Sequence, residues 1–267
     1  MIRDMTLGQY YPADSVIHKL DPRVKLFATL IYIMALFLFR GFTGFALITA
    51  VLFGVIHLSK IPLEYIVKGL KTIVVLLVIT AVFNLLFTTG GTKFWHWGPF
   101  YLTSIGIKNA VLMTVRLIYL IIGSSLMTLT TTPVQLTDGL EKSLSCLEWM
   151  HVPVHAVAMM MSIALRFIPV LIEETDRIMK AQMARGADFE SRNMIKRVKS
   201  MLPVLIPLFV SAFRRADDLA VAMESRCYTG GDGRTKMKPL KYGRNDRLAY
   251  FAILLFLVLV ILFRKLI

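Results

Sequence analysis

HAVAMMMSIALRFIPVLIEETDRIMKAQMARG (155–186) and MLPVLIPLFVSAFRRADDLAVAMESRC (201–227) share one design, and their reading decides the fold. Each opens apolar and closes charged. As two ordinary membrane spans they would put 173–200 on the outer side, a loop that carries Arg192, Lys196, Arg197 and Lys199. Loops rich in Lys and Arg stay in the cytoplasm. The segments therefore read as long, partly submerged helices. Their apolar N-terminal halves lie in the membrane or against the spans, and their charged C-terminal ends reach the cytoplasm. Thirty residues of helix extend about 45 Å at 1.5 Å per residue, enough for both tasks.

Outward from this pair the chain is a membrane protein. It has 267 residues, 56% hydrophobic and 18% charged, and a mean hydropathy of +0.65. Soluble domains carry about 45–50% apolar and about 25% charged residues. Spanning needs about 20 mostly apolar residues. Segments 26–39 and 42–58 read as two short spans joined at Arg40-Gly41, 69–88 as a third and 105–129 as a fourth. TTGGTKFWHWGPFY (88–101), rich in Gly and aromatics, suits an outer interfacial loop, with Trp95, Trp97 and Phe100 as its belt. Segment 248–263, closed by Arg264-Lys265, is a final span.

Charge orients these spans. Lys19, Arg23 and Lys25 precede the first, and Lys60, Lys68 and Lys71 follow the second, whereas the outer turns carry only Arg40 and Lys93. The N-terminus is expected in the cytoplasm of a cell whose inner membrane holds the chain. The polar first 25 residues do not resemble a cleaved signal peptide. The expected fold is an all-α membrane protein of about five transmembrane helices plus amphipathic and long cytoplasmic helices. Its parts are an N-terminal cytoplasmic segment (1–25), a four-helix transmembrane region (26–129), a cytoplasmic helical region (130–247) and the last span (248–267). Thr132-Pro133 reads as a helix start, Thr as N-cap and Pro at N1.

The net charge is +14, and residues 176–247 hold 16 Lys+Arg against 8 Asp+Glu. Such a surface suits the anionic leaflet of the lipid bilayer or an acidic protein partner. No basic stripe is interleaved with solvent-facing aromatics, so nucleic acid is not an expected partner. Cys146 and Cys227 have neither metal-ligand nor CxxC spacing and read as reduced thiols.

A short repeat closes the two long segments: Ala181-Gln-Met-Ala184-Arg185-Gly186 and Ala222-Met-Glu-Ser225-Arg226-Cys227. Both read small–x–x–small–Arg–small. Small residues three apart share a helix face and admit a close neighbour. An Arg in the last turn complements the helix dipole and points five donors outward. One copy is an ordinary helix end, with Gly186 as the stop. Two copies on helices of one design look like two plugs, docking by close packing and a bidentate Arg. Two plugs suggest two similar sockets on a dimeric or pseudo-dimeric partner.

These residues resemble the EcfT family, the transmembrane T components of energy-coupling factor (ECF) transporters, which are ABC-type vitamin importers. The resemblance covers nearly the whole chain. Gly8-Gln9-Tyr10, Pro12, Ser15 and His18-Lys19-Leu20-Asp21-Pro22-Arg23-Val24-Lys25 match the family's N-terminal motif, and Ala184-Arg185-Gly186 its first Ala-Arg-Gly signature. Ser225-Arg226-Cys227 occupies the second, departing at both flanks and keeping the Arg. The resemblance implies a scaffold that holds two ABC-type ATPase subunits through Arg185 and Arg226 on coupling helices. It also implies a membrane-embedded S component that binds the vitamin. The unequal signatures favour non-identical ATPases.

Alternatives are a self-sufficient carrier or channel, and a membrane enzyme. The spans offer few convergent polar groups: Arg116 and Asn84 lie deep, and Arg166 sits in a later apolar stretch. Such arginines usually face protein or water. Glu173, Glu174 and Asp176 read as a solvated helix face. His151 and His155 flank Pro153, which argues against a shared metal-binding face. Met159–Met161 reads as adaptable packing. No GxxxxGK[ST] occurs and Gly230-Gly231-Asp232-Gly233 lacks the lysine, so ATP would be hydrolysed by another chain. No cofactor is expected.

Overall fold

A computed structural model of the chain describes residues 10–39, 41–88, 93–97, 100–189, 193–230, 237 and 239–266. The helices are α1 (Pro22–Leu38), α2 (Phe42–Ser59), α3 (Leu63–Phe87), α4 (Ser104–Thr130), α5 (Pro133–Leu144), α6 (Val154–Ala184), α7 (Met194–Glu224) and α8 (Arg244–Leu266). A 3₁₀ turn, Ser145–Met150, links α5 to α6. The fold is helical, as the periodicity and composition required. The exception among the described residues is an antiparallel ribbon, β1 (Lys93–Trp97) and β2 (Phe100–Thr103), paired Trp95↔Leu102 and Trp97↔Phe100. It replaces part of the expected irregular loop, because its aromatic residues favour a pleated backbone.

Among the described residues three helices are long and apolar enough to cross a membrane: α4, α6 and α8 up to Arg264. A fourth span is available if the two halves of α3, Leu63–Lys71 and Ile73–Phe87, bent by 59°, count as one. α1 and α2 are shorter, at 17 and 18 residues. α7 begins earlier than the sequence suggested, because the Asn193 side chain caps it by accepting from the Ile195 amide at 3.1 Å. Ile195, Val198 and Leu202 then extend its apolar stripe back through the basic run. At Thr132 the expected cap is present as a reciprocal box: Thr132 Oγ1 accepts from the Gln135 amide, and Gln135 Oε1 from the Thr132 amide.

The chain forms two compact units. One comprises Gly8–Leu140 with Leu240–Ile267, and the body of the other is Glu141–Pro239. In the first, α1 packs on α4 and α8, and α2 packs on the same two helices, so that the four close a ring; α3 lies along α4. Gly123 on α4 lets the Tyr32 ring lie against the backbone, where a Cβ would collide with it. Tyr32 donates from its hydroxyl to the Tyr119 carbonyl at 2.9 Å. Leu36, Phe39, Phe45 and Ile48 fill one end of the ring.

Two contacts fix the register of α1 on α4. Lys25 Nζ donates to the Thr130 carbonyl at 2.8 Å, and Arg116 Nη2 to the Phe39 carbonyl at 2.7 Å. α1 therefore runs antiparallel along the C-terminal half of α4, which continues about 18 Å beyond Arg116 toward Ser104. Arg116 has a structural task. It satisfies the carbonyl at the α1 C-cap, with its guanidinium 5.6 Å and 5.9 Å from the Phe37 and Phe45 ring centres. Asn84 is satisfied within its own helix, donating to the Thr80 carbonyl.

Candidate functional site

The two helix ends singled out by the repeat have the same geometry. α6 finishes at Ala184 with Arg185 as C-cap (φ −90°, ψ 7°) and Gly186 in the left-handed region (φ 88°). The Gly186 amide donates to the Met183 carbonyl at 2.9 Å, and the Ala187 amide to that of Gln182 at 3.0 Å. These are the two bonds of a Schellman motif. At the end of α7 the Cys227 amide donates to the Glu224 carbonyl at 2.9 Å, and the Tyr228 amide to that of Met223 at 3.1 Å. Cys227 stands at φ 56°. Position for position, Arg226 occupies the place of Arg185, and Cys227 that of Gly186. A Cβ in the left-handed region costs about 1–2 kcal/mol, so the second cap is the strained copy.

Ala181, Ala184, Arg185 and Gly186 are exposed, as are Ala222, Ser225, Arg226 and Cys227. Neither arginine forms an ion pair among the described residues. Between the helices, Arg215 donates to Glu174 Oε2 at 3.2 Å, joining residues 41 apart, which is also the offset of the repeat. Gln182 Nε2 reaches the Pro203 carbonyl at 3.5 Å. As the partner on α6 advances, the partner on α7 recedes, so the helices run antiparallel. Each arginine lies about three turns beyond the Glu174–Arg215 bridge, in opposite directions, which sets them about 33 Å apart along the helix axes. The sequence suggested two plugs. Only the fold shows that they leave the pair at opposite ends.

α7 also carries an apolar stripe with no cover in its own unit: Ile195, Val198, Leu202, Ile206, Phe209 and Phe213 are all more than half exposed. On α6, Met160 and Met161 are exposed as well, as is Arg166. His155 Nδ1 lies 3.0 Å from Glu141 Oε1, tying α6 to α5 across the 3₁₀ turn. His151, at φ 61°, stands outside α6.

The N-terminal motif builds a second polar cluster in the other unit. Asp21 caps α1, with Pro22 at N1, and its carboxylate holds Arg23 through two bonds of 3.1 Å and 3.0 Å. The carboxylate raises the Arg23 pKa above its ordinary value. Arg23 also lies over the Tyr242 ring, 4.1 Å from its centre, and donates to the Leu240 carbonyl. Asp246, 5% exposed, accepts from the Asp21 amide at 2.8 Å with one oxygen and from the Gly243 amide at 2.6 Å with the other. His18 Nε2 donates to the Tyr11 carbonyl at 3.0 Å, so its Nδ1 accepts from the Ser15 hydroxyl at 2.7 Å. Burial lowers the His18 pKa below 6.5, and the nearby Lys25 adds to this. Residues of the motif thus lock the N-terminal segment to the starts of α1 and α8 and the end of α4. Sequence reading missed Asp246, Tyr242 and the Thr130 carbonyl. An acid three residues after Gly243, at the head of an apolar run, was the available signal for Asp246.

Comparison with known proteins gives these two clusters a context. A family described as CbiQ, cobalt transport protein, matches residues 13–237. The energy-coupling factor transporter transmembrane protein EcfT of Clostridium kluyveri is 53% identical over 266 residues, 99% of this chain and 98% of that one. The chain belongs to the EcfT family. The EcfT of Ruminiclostridium cellulolyticum is 51% identical over 262 residues, 98% of each chain, and that of Lactococcus lactis subsp. cremoris 44% over 264 residues, 99% of each. Like these EcfT proteins, the chain is the membrane component of a transporter. That agrees with the helices of spanning length.

Proposed function

We propose that the chain is the coupling scaffold of an ECF-type importer and hydrolyses nothing itself. Two ABC-type ATPase subunits dock on the ends of α6 and α7, with Arg185 and Arg226 as anchors and Ala184, Gly186, Ser225 and Cys227 keeping the approach close. Ala181 and Ala222 extend those small faces. A membrane-embedded S component, which captures the vitamin, lies against the apolar side of this unit. ATP-driven closing of the ATPases moves the helix ends, and the helix pair relays the motion. The N-terminus and both arginine caps face the cytoplasm.

The observation that carries this reading is the pair of matched caps at opposite ends of one antiparallel helix pair. A single socket needs one plug; two separate subunits need two, set apart by roughly the width of a small domain. The uncovered stripe on α7 supports a hydrophobic partner, since contiguous exposed apolar surface marks an interface or a membrane contact. The unequal caps, Gly186 against Cys227, favour two different ATPase chains. The test is to purify the tagged chain from its native membrane in mild detergent. Two ABC ATPases and a small vitamin-binding membrane protein should come with it. A chain recovered alone, under conditions that keep other complexes whole, overturns the reading.

A further inference from the structure

The ring of α1, α2, α4 and α8 encloses a cavity of about 420 Å³ that the coupling reading does not use. Its walls are apolar: Val51, Leu52 and Val55 from α2, Leu126 from α4, and Ala252 and Ile253 from α8. Asn245 stands at the start of α8, and the polar groups where α1 begins and α2 and α4 end have partners. Lys25 donates to the His18 and Thr130 carbonyls, Ser59 to the Ile56 carbonyl and Thr130 to the Leu126 carbonyl. The wall is predominantly apolar and suits an apolar ligand.

Val16, Leu58 and Leu248, which line this end of the cavity, are more than half exposed, so it opens between the end of α2 and the start of α8. The opening is basic. Lys60 follows the lining residue Ser59, Arg244 precedes Asn245, and Arg247 precedes Leu248; all three cations are exposed. The neighbouring acid, Asp246, is buried and held by the Asp21 and Gly243 amides, which leaves the three cations as the exposed charges of these two helix ends. A helix about 10 Å across would fill about 800 Å³ for each 10 Å of depth. The cavity is too small for a partner helix and of a size that takes small ligands.

We propose that this cavity takes one acyl chain of an anionic phospholipid, whose phosphate is held at the opening by Lys60 and Arg244. The site uses only this chain's own ring. It rests on the coupling reading solely for the leaflet, the cytoplasmic one, from which the lipid enters. The lipid completes the core between the four helices and ties the start of α8 to the membrane surface.

The test uses the full chain in nanodiscs doped with phosphatidylglycerol that carries a diazirine on its acyl chain, irradiated and mapped by mass spectrometry. Adducts are expected inside the ring, on Thr29, Tyr32 or Val55, besides those on the outward Phe53 and Phe251. The matching phosphatidylcholine probe, or the exchange of Lys60→Gln with Arg244→Gln, should lower the interior adducts several-fold. Ala252→Leu, a mild cavity filler, should lower them too while Phe53 and Phe251 stay labelled, which shows that the variant is still inserted. Adducts confined to outward residues, or interior adducts unchanged by Ala252→Leu, overturn the site. Equal interior labelling by both lipids overturns the anionic headgroup. Neither readout needs an ATPase, so failure here is distinct from failure of the coupling function.

Discussion

The two units of this chain solve opposite problems. The ring unit is knitted by side chains that reach across the sequence: Asp246 to Asp21, Lys25 to Thr130, Arg116 to Phe39. Of the buried apolar side chains among the described residues, only Val154, Ala158 and Val204 come from α6 and α7. Across the helix pair run the Glu174–Arg215 ion pair and a marginal hydrogen bond, and the pair presents its arginines and its apolar stripe outward. One unit spends its polar groups on itself; the other leaves Arg185 and Arg226 outside any ion pair among the described residues. A surface that is both apolar and unpaired is stable only when covered, so partner binding and the order of α6–α7 should be linked.

That contrast can be broken most severely at the caps. Arg185→Glu with Arg226→Glu should abolish ATPase assembly and uptake while the chain still inserts, and each single variant should weaken assembly. Leaving a desolvated charged contact without its partner costs about 3–5 kcal/mol. Affinity purification with uptake assays reads both effects; full uptake by the double variant contradicts the docking role.

In the ring the expected loss is of folding rather than assembly. Asp246→Ala strips the acceptor from two amides, each costing about 1–3 kcal/mol if left unpaired in the interior. Thermal unfolding of the purified chain should shift down clearly. Arg116→Met removes one donor from the Phe39 carbonyl, so a smaller shift is expected, within about 1–3 kcal/mol. An unchanged melting temperature for Asp246→Ala would show that the clamp does not hold the ring.

The mildest tests sharpen the comparison. Cys227→Gly should relieve the strained cap and stabilise the end of α7 by about 1 kcal/mol, seen as slower amide exchange at Cys227 and Tyr228. No such gain is open to the α6 cap, which already has its glycine at 186. For His18 burial holds the folded pKa below the ordinary value of 6.5. Its contribution to stability is therefore complete above pH 6.5. It is lost as the pH falls from there through the folded value, because the unfolded chain takes up the proton first. Melting temperature should decline on acidification across that window, and His18→Gln should flatten the decline.

Much of this was legible in the residues. Hydropathy marked the apolar helices, and the Thr132-Pro133 start and the 181–186/222–227 repeat fell where helix ends form; α6, expected to be only partly submerged, proved long and apolar enough to span, and α1, expected as a span, is shorter. The ribbon at 93–103 and the early start of α7 were not legible. The first is held by cross-strand pairing, which has no helical period to read. The second depends on Asn193 as a cap for a run whose charges drew attention away from Ile195 and Val198. The clamp partners escaped because Asp21 and Asp246 lie 225 residues apart and meet only when α1 and α8 pack.

By itself, then, the sequence determined which segments are helical, which are apolar, where two of them stop, and to which family the chain belongs. All of these follow from local composition, caps and motifs. Tertiary structure decided the rest: that Arg116 serves a backbone carbonyl, that the N-terminal motif is a clamp, that four helices leave a cavity, and that the arginine caps sit at opposite ends of one helix pair. Each depends on which surfaces meet, and a long-range contact is chosen by the packing of the whole chain rather than by any window of it.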